Sequence, residues 1–282
     1  MQSSRLPAAR RCPACDHDRA QWAFVVMGFP CVRCEACGTL FVSPLPSPDV
    51  VQATYLRPDY HETAEDAAVR MRAEADARVR VVEGLGARRI IEVGCGPGHF
   101  LDAARDRGLT IEGVDPARTA AAARARGHVV HALWLEQYVP TAPFDALALW
   151  EVLEHLPAPA EALATMVRWL RPDGIVALST PSLSGIAARV MGRNFPMITP
   201  PDHLEIFTRQ GLARLLARAG LQSVRWTSFS NLDAPALTRA LRRRGLGGSP
   251  LAGLLGRLGA VPASWIDRAG LGTSFEVYAR RR

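Results

Sequence analysis

At 282 residues the chain suits one large domain plus a small appendage. With 48% hydrophobic and 22% charged residues and a mean hydropathy of +0.02, it has the composition of an ordinary globular protein and excludes a disordered one. Arginines interrupt every apolar run, so nothing approaches the roughly 20 consecutive apolar residues of a membrane span. The formal charge of +7 would raise nucleic acid as a partner, but the chain has no lysine and all 34 basic residues are arginine. A composition-wide preference for arginine explains that charge better than a binding patch, and only "RALRRRG" at 239–245 is locally dense.

The first eleven residues, "MQSSRLPAARR", lack the apolar stretch of a secretory leader, which predicts a cytoplasmic location. In that reducing setting clustered cysteines bind metal or do chemistry more often than they form disulfides. "CPAC" supplies Cys12 and Cys15, and "CVRCEACG" supplies Cys31, Cys34 and Cys37. Two C-x2-C pairs on tight turns, 15 to 20 residues apart, give the four-sulfur shell of a structural zinc ion.

Spacing alone leaves Cys31/Cys34 and Cys34/Cys37 both open as the second pair. Gly38 decides between them, because the residue after the second cysteine of such a turn adopts positive φ, which glycine takes without penalty. Asp16 holds the matching place in the first turn. The predicted zinc ligands are therefore Cys12, Cys15, Cys34 and Cys37, with Cys31 spare. About 35 residues bury too little core to stand without the metal. The segment carries Asp16, Asp18 and Glu35 against Arg19 and Arg33, so it is no basic patch.

The predicted ribbon covers 1–45, where the proline-rich connector "SPLPSPD" at 43–49 closes it. Residues 46–85 are a linker and an N-terminal helix. Within them, "HETAEDAAVRMRAEADARVRVVEG" at 61–84 spaces Ala64, Ala68, Met71, Ala75, Val79 and Val82 by threes and fours. From 86 onward short apolar runs (89–94, 110–115, 128–133, 144–150, 174–181) alternate with helical stretches (100–107, 117–126, 160–170). That alternation predicts an α/β fold with a mainly parallel sheet. Two late strands are predicted at 221–229 and 273–281, with a helical insertion at 231–271 between them.

"IIEVGCGPGHFLDAA" is the most informative stretch, a strand running through Gly94-Cys95-Gly96-Pro97-Gly98 straight into a helix. Glycines there let backbone approach a ligand at the carboxyl end of the sheet. Glu92 lies inside the strand, where a carboxylate needs a partner. Asp115 ends the next strand, placed to hold two ribose hydroxyls. A nicotinamide enzyme would want G-x-G-x-x-G, and Gly98 is followed by His99, Phe100 and Leu101 instead. The chain has no H-x-x-x-H and no G-x-S-x-G, and Cys95 reads as a packing residue, not a nucleophile.

"IIEVGCGPGHF", "GVDPA", "FDALALWEVLEHLPAP" and "LRPDGIVALSTPS" match successive motifs of the class I S-adenosylmethionine-dependent methyltransferases, which the chain resembles over about residues 86–182. With "PDHLEIF" at 201–207, the closing "FEVYARR" and the ribbon, it is similar to the zinc-ribbon members that tailor sugars and natural products. The resemblance implies a Rossmann-like seven-stranded sheet over 86–282 with its last strand antiparallel, beside the small N-terminal four-cysteine ribbon.

It also implies cofactor contacts. Glu92 would face the amino-acid end of S-adenosylmethionine, Gly94, Cys95, Gly96 and Gly98 would pass beneath it, and Asp115 with Pro116 would meet the ribose. Leu133 and Trp150 complete the expected contacts. The chain departs from many members at Ala132-Leu133-Trp134, where they carry an acid near the adenine; here apolar contact and backbone would hold it.

An alcohol acceptor needs a base, and a histidine suits that near neutral pH. His203, in the acceptor-building segment, and His155, just past the fourth strand, are the two candidates, with Glu154 able to orient either. Residues 181–203 are expected to form an acceptor lid lined by Met191, Phe195, Met197 and Ile198. The expected activity is methyl transfer to a small-molecule acceptor, a hydroxyl of a sugar, nucleotide-sugar or secondary metabolite. The alternatives are a ribosomal or transfer RNA methyltransferase docking through its ribbon, against which "WEVLEH" lacks the Asn/Asp-Pro-Pro-aromatic pattern of base-amine enzymes, and a non-catalytic zinc-binding interaction protein. Acceptor identity and oligomeric state are not written in the sequence.

Overall fold

The computed structural model describes residues 10–57, 65–230 and 263–282. In chain order its elements are β1 (Ala20–Val26), β2 (Phe29–Cys34), β3 (Leu40–Val42), α1 (Pro48–Tyr55), α2 (Glu65–Gly84), β4 (Arg89–Val93), α3 (His99–Asp106), β5 (Thr110–Val114), α4 (Ala121–Ala125), β6 (Val130–His131), β7 (Phe144–Trp150), α5 (Pro159–Val167), β8 (Leu170–Pro181), α6 (Ile186–Met191), β9 (Glu205–Ile206), α7 (Arg209–Arg218), β10 (Leu221–Phe229), α8 (Ala263–Arg268) and β11 (Ser274–Arg281).

The larger sheet has seven strands in the order β10-β11-β8-β7-β4-β5-β6. Strands β4 to β8 are mutually parallel, and β11 runs antiparallel between β8 and β10. The expected Rossmann-like architecture is therefore the observed one. Because β4 pairs with β5 on one side and β7 on the other, the chain order reverses at β4, and a crevice opens there at the carboxyl ends of the strands.

The strands read as continuous apolar runs because helices cover both faces. On one face Ala75, Val79 and Val82 of α2 and Phe100 and Ala103 of α3 pack on Ile90 and Ala148. On the other, Leu163 and Met166 of α5 and Leu212 and Leu215 of α7 pack on Leu147, Val176 and Phe275. The apolar spacing predicted for 61–84 is thus the stripe that α2 buries; residues 61–64 of that prediction lie outside the described residues.

Several boundaries differ from the sequence expectation. The strand expected at 128–133 shrinks to β6, which among the described residues pairs with β5 alone, and Leu133 beyond it faces the crevice. The helix expected at 117–126 divides into a 3-10 turn, Arg118–Ala120, and the short α4. The helix expected at 160–170 stops at Val167, and β8 begins at Leu170, with Asp173 inside it at positive φ. Of the insertion expected at 231–271, residues 231–262 lie outside the described residues.

The ribbon is not confined to 1–45. Its sheet has the order β1-β2-β3-β9, and the fourth strand comes from Glu205–Ile206. Cys12, Ala14, Cys34, Cys37 and Phe41 share one continuous core with Leu212 and Phe207. The other face of the ribbon sheet, with Cys31, Leu40 and Val42, is covered by Met191, Phe195 and Ile198. This corrects the expected lid: these side chains seal the ribbon sheet, Met197 packs against the same cluster, and none of them lines the crevice. An apolar face on β3 and β9 needs a cover, and the segment after β8 supplies it.

Candidate active site

The crevice at β4 opens into a cavity of about 820 Å³, near the upper end of the usual range for small-molecule sites. Its floor is the glycine turn. Gly94 has φ +73°, and a Cβ there would lie 2.5 Å from the Val152 side chain, so only glycine lets the turn pass beneath the following loop. The Gly96 N–H donates to Asp115 Oδ2 and the Ala117 N–H to Asp115 Oδ1, each at 2.7 Å, which aims that buried carboxylate into the cavity from the end of β5.

Of the expected cofactor contacts, Glu92, Gly94, Cys95, Gly96, Asp115, Pro116, Leu133 and Trp150 line the cavity. Gly98 does not. It caps α3 at φ +88°, and a Cβ there would sit 2.7 Å from that of Ala123, so its small size serves close packing of α3 against α4. The Cys95 side chain packs on Gly113 and Leu101, and burial raises its thiol pKa.

The cavity holds buried carboxyl oxygens that lack a partner among the described residues, Glu92 Oε2 and Glu151 Oε1. Burial pushes both carboxyls above the usual range, Glu92 further so because Asp115 repels it, and the positive charge of Arg78 opposes each shift. Arg78 lies 4.4 Å over the Trp150 ring and donates to Glu276 Oε2 at 3.0 Å. An orphaned carboxylate oxygen, a second buried carboxylate and a bare backbone turn fit a ligand with an ammonium group, a ribose diol and a flat base. S-adenosylmethionine is such a ligand.

The 3-10 turn Leu153–His155 brings His155 to the cavity wall. Its Nδ1 donates to the Asp202 carbonyl at 2.9 Å and stands 3.2 Å from Asp202 Oδ1. Burial works to keep this imidazole neutral, but Asp202 and the nearby Glu154 outweigh it and raise its pKa to about 9. Burial and the charge of Glu151 raise Glu154 to about 8, while Thr180 donates to its Oε2 at 2.9 Å. Each of these two charges sustains the other, whereas the Asp202 contacts hold for either proton state of Glu154, so the direction for His155 rests on Asp202.

His203 is not on the cavity wall. It stands behind His155, with ring centroids 4.7 Å apart, and its Nδ1 donates to the Met197 carbonyl at 2.6 Å. Of the two candidate bases, of which sequence put His203 slightly ahead, His155 is the one on the cavity wall.

Tyr55, Arg78 and Glu151 are among the wall residues that sequence reading missed. Tyr55, at the end of α1, meets His155 and Trp134 edge to face at 5.8 and 6.1 Å and donates to the His155 carbonyl at 3.0 Å. Arg78 carried a signal, an arginine seven residues from Met71 on the apolar stripe of α2. Glu151 carried one only after folding, a positive φ of 54° at the end of β7.

In the ribbon, the Sγ atoms of Cys12, Cys15, Cys34 and Cys37 all lie within 4.8 Å of one another, with Cys12–Cys37 and Cys15–Cys34 at 3.6 Å. A tetrahedral shell with Zn–S near 2.3 Å has edges of about 3.8 Å, so the donor set fits a zinc ion. Asp16 and Gly38 adopt φ of +61° and +73°, as the turn chemistry requires. Cys31 is outside the cluster, buried beside Val42 on the opposite sheet face with its Sγ toward the Phe29 carbonyl.

A family model described as "Methyltransferase domain" matches residues 56–225. The "Ubiquinone biosynthesis O-methyltransferase" of Thiobacillus denitrificans is 28% identical over 162 residues, 52% of this chain and 69% of that one. Its namesake in Aeromonas salmonicida is 29% identical over 154 residues, 49% of this chain and 64% of its own length. Among solved structures, the [4+2]-cyclase SpnF covers 81% of this chain and 86% of its own at 21% identity and TM-score 0.52. A SAM-dependent methyltransferase from Archaeoglobus fulgidus covers 74% and 94% at 17% identity and TM-score 0.51.

At those identities the structures speak for the fold alone, and a cyclase among them shows that the fold admits more than one reaction. The chain belongs to the methyltransferase domain family. Within it, this protein is an S-adenosylmethionine-dependent methyltransferase with a four-cysteine cluster at its N-terminus.

Proposed function

We propose that the protein methylates a hydroxyl of a largely apolar small molecule, with His155 as the general base. The observation that carries this reading is the wall beside His155, where Leu45, Val51, Tyr55, Trp134, Leu156 and Pro157 converge. The arginines of the wall, Arg70 and Arg78, both come from α2. A nucleotide-sugar would want cations for its diphosphate where this wall offers aromatic and aliphatic groups, so a secondary metabolite fits better than a sugar nucleotide. The relatives named as O-methyltransferases support oxygen as the acceptor atom.

When bound, S-adenosylmethionine supplies an activated methyl group. Glu92 would hold its ammonium, Asp115 its ribose hydroxyls, and Leu133 and Trp150 its apolar faces. Methyl transfer needs in-line positioning more than covalent help. The chain's own contribution is to exclude water with the α1 wall, orient the hydroxyl, and receive its proton at His155 Nε2, since Nδ1 is committed to the Asp202 carbonyl. His203 and Glu154 pack behind His155 and fix its ring.

The ribbon binds one structural Zn2+ through Cys12, Cys15, Cys34 and Cys37 in this reading. RNA docking gains little from it: Arg10 is paired with Glu205, Arg11 with Asp16, and Arg33 with the Gly38 carbonyl. Incubating the protein with methyl-labelled S-adenosylmethionine and separate apolar, polar and RNA fractions of a cell extract tests the proposal. Label in a small apolar product, alkali-stable as an ether, is expected; label confined to RNA or to sugar nucleotides overturns it.

A further inference from the structure

Strand β3 and strand β9 share two register pairs, Leu40 with Ile206 and Phe41 with Glu205. The connection continues past the strand: the Val42 N–H donates to the Leu204 carbonyl at 2.9 Å, and the Leu204 N–H donates to the Glu154 carbonyl at 2.8 Å. Two main-chain steps therefore lead from the ribbon into the turn that carries His155. The same segment holds the imidazole through the Asp202 carbonyl. At its far end the Thr208 hydroxyl donates to the Cys37 carbonyl, directly at the cysteine turn.

Arg10 makes a second tie. Its Nε donates to the Val42 carbonyl at 3.0 Å, its Nη1 to the Pro157 carbonyl at 2.9 Å, and its Nη2 pairs with Glu205. One guanidinium thus clips the ribbon, β9 and the loop after His155 together. The glycine turn and Asp115 are held differently, by β4, β5 and Ala117, and among the described residues no hydrogen bond links them to the ribbon.

We propose that the four-cysteine ribbon is a positioning element of the catalytic site, holding His155 in place through Leu204 and Arg10, so that the acceptor end depends on the ribbon's metal while cofactor binding does not. This rests on the zinc and His155 assignments above. A ribbon this small has no adequate core of its own, and a two-residue strand pairing does not persist alone. Loss of the metal therefore frees β3 first, then Leu204, then the turn bearing His155.

The full chain, zinc-loaded and after stripping with a mercurial and chelator, is compared by hydrogen exchange and by calorimetry with S-adenosylmethionine. Residues 39–43, 153–157 and 204–206 should lose protection together, by about tenfold or more. Residues 90–96 and 113–117 should keep theirs, and the Kd for S-adenosylmethionine should move less than about twofold. In the same samples the His155 ring, followed by NMR, should titrate closer to an ordinary histidine once Asp202 is loosened.

If the purified protein holds no metal, the zinc assignment fails by itself, and Thr208→Val and Arg10→Met decide the relay without it. Each should deprotect 153–157 with cofactor affinity unchanged, and Thr208→Ser should restore the protection. The relay is overturned if 153–157 stays protected in the stripped protein and in both variants. It is equally overturned if 90–96 frays to the same extent, which is how a fold-wide staple would behave.

Discussion

The ring of His203 meets the ring of His155 edge to face at 4.7 Å, and only His155 reaches the cavity. His155→Gln should therefore lower methyl transfer from labelled S-adenosylmethionine about a hundredfold or more, the usual worth of a positioned base. His203→Gln should lower it by about tenfold, through looser placement of its neighbour. Equal losses, or a larger loss at His203, would exchange their roles.

The pH dependence has a definite sign. His155 is raised from 6.5 to about 9 and Glu205 from 4.5 to about 8, so both hold protons more tightly in the folded chain. Each contributes stability that is complete below its ordinary pKa and lost as pH rises through the folded value. The Tm should fall by roughly 5 °C between pH 6 and pH 9. Glu205→Gln should remove part of the fall below pH 8, a part that Glu154 shares, and His155→Gln the part between about 6.5 and 9. Turnover runs the opposite way, rising toward pH 9 as His155 becomes able to accept a proton; a Tm that stays level or climbs would contradict the shifts.

Gly96 and Gly98 separate binding from packing. A Cβ at Gly98 would strike Ala123, whereas one at Gly96 meets open space in the cavity. Gly98→Ala should cost about 2–3 kcal/mol of folding stability in denaturant titration. Gly96→Ala should cost about 1 kcal/mol of stability and a larger share of cofactor affinity. The two rank orders, stability and Kd, should be opposite.

Glu92 carries a buried oxygen without a partner among the described residues. Glu92→Gln should weaken S-adenosylmethionine binding by about tenfold to a hundredfold, the worth of a charge-assisted contact. It should leave the Tm of the cofactor-free protein level or higher, because an isolated buried carboxylate is costly. A lower Tm with unchanged Kd would make Glu92 a structural residue.

Metal analysis of the purified chain should find one zinc per molecule, kept in Cys31→Ser and lost in Cys37→Ser. Retention in Cys37→Ser would move the site to Cys31.

The sheet and its glycine turn were legible because their signals are local. Strand-helix alternation, Glu92 inside a strand and Asp115 at the end of the next are each visible in a window of a few residues. Which cysteines cluster was legible for the same reason, since Gly38 and Asp16 report their backbone from sequence. The cavity roof was not, because Tyr55 and Arg78 become wall residues only when α1 and α2 fold over the sheet. The apolar run at Met191, Phe195 and Ile198 was read correctly as buried, but no local pattern says against what. His203 misled because its sequence position lies near the acceptor segment while its ring turns behind His155.

The borrowed strand β9 has a consequence for anyone wishing to trim or transplant this enzyme. A cut at residue 45 would not release a smaller catalyst and a free metal module. It would leave Ile206 and Phe195 facing water on one fragment and a three-stranded sheet without its closing edge on the other. The two halves of this chain are exchangeable between relatives only together with the stretch from β8 to α7 that knits them.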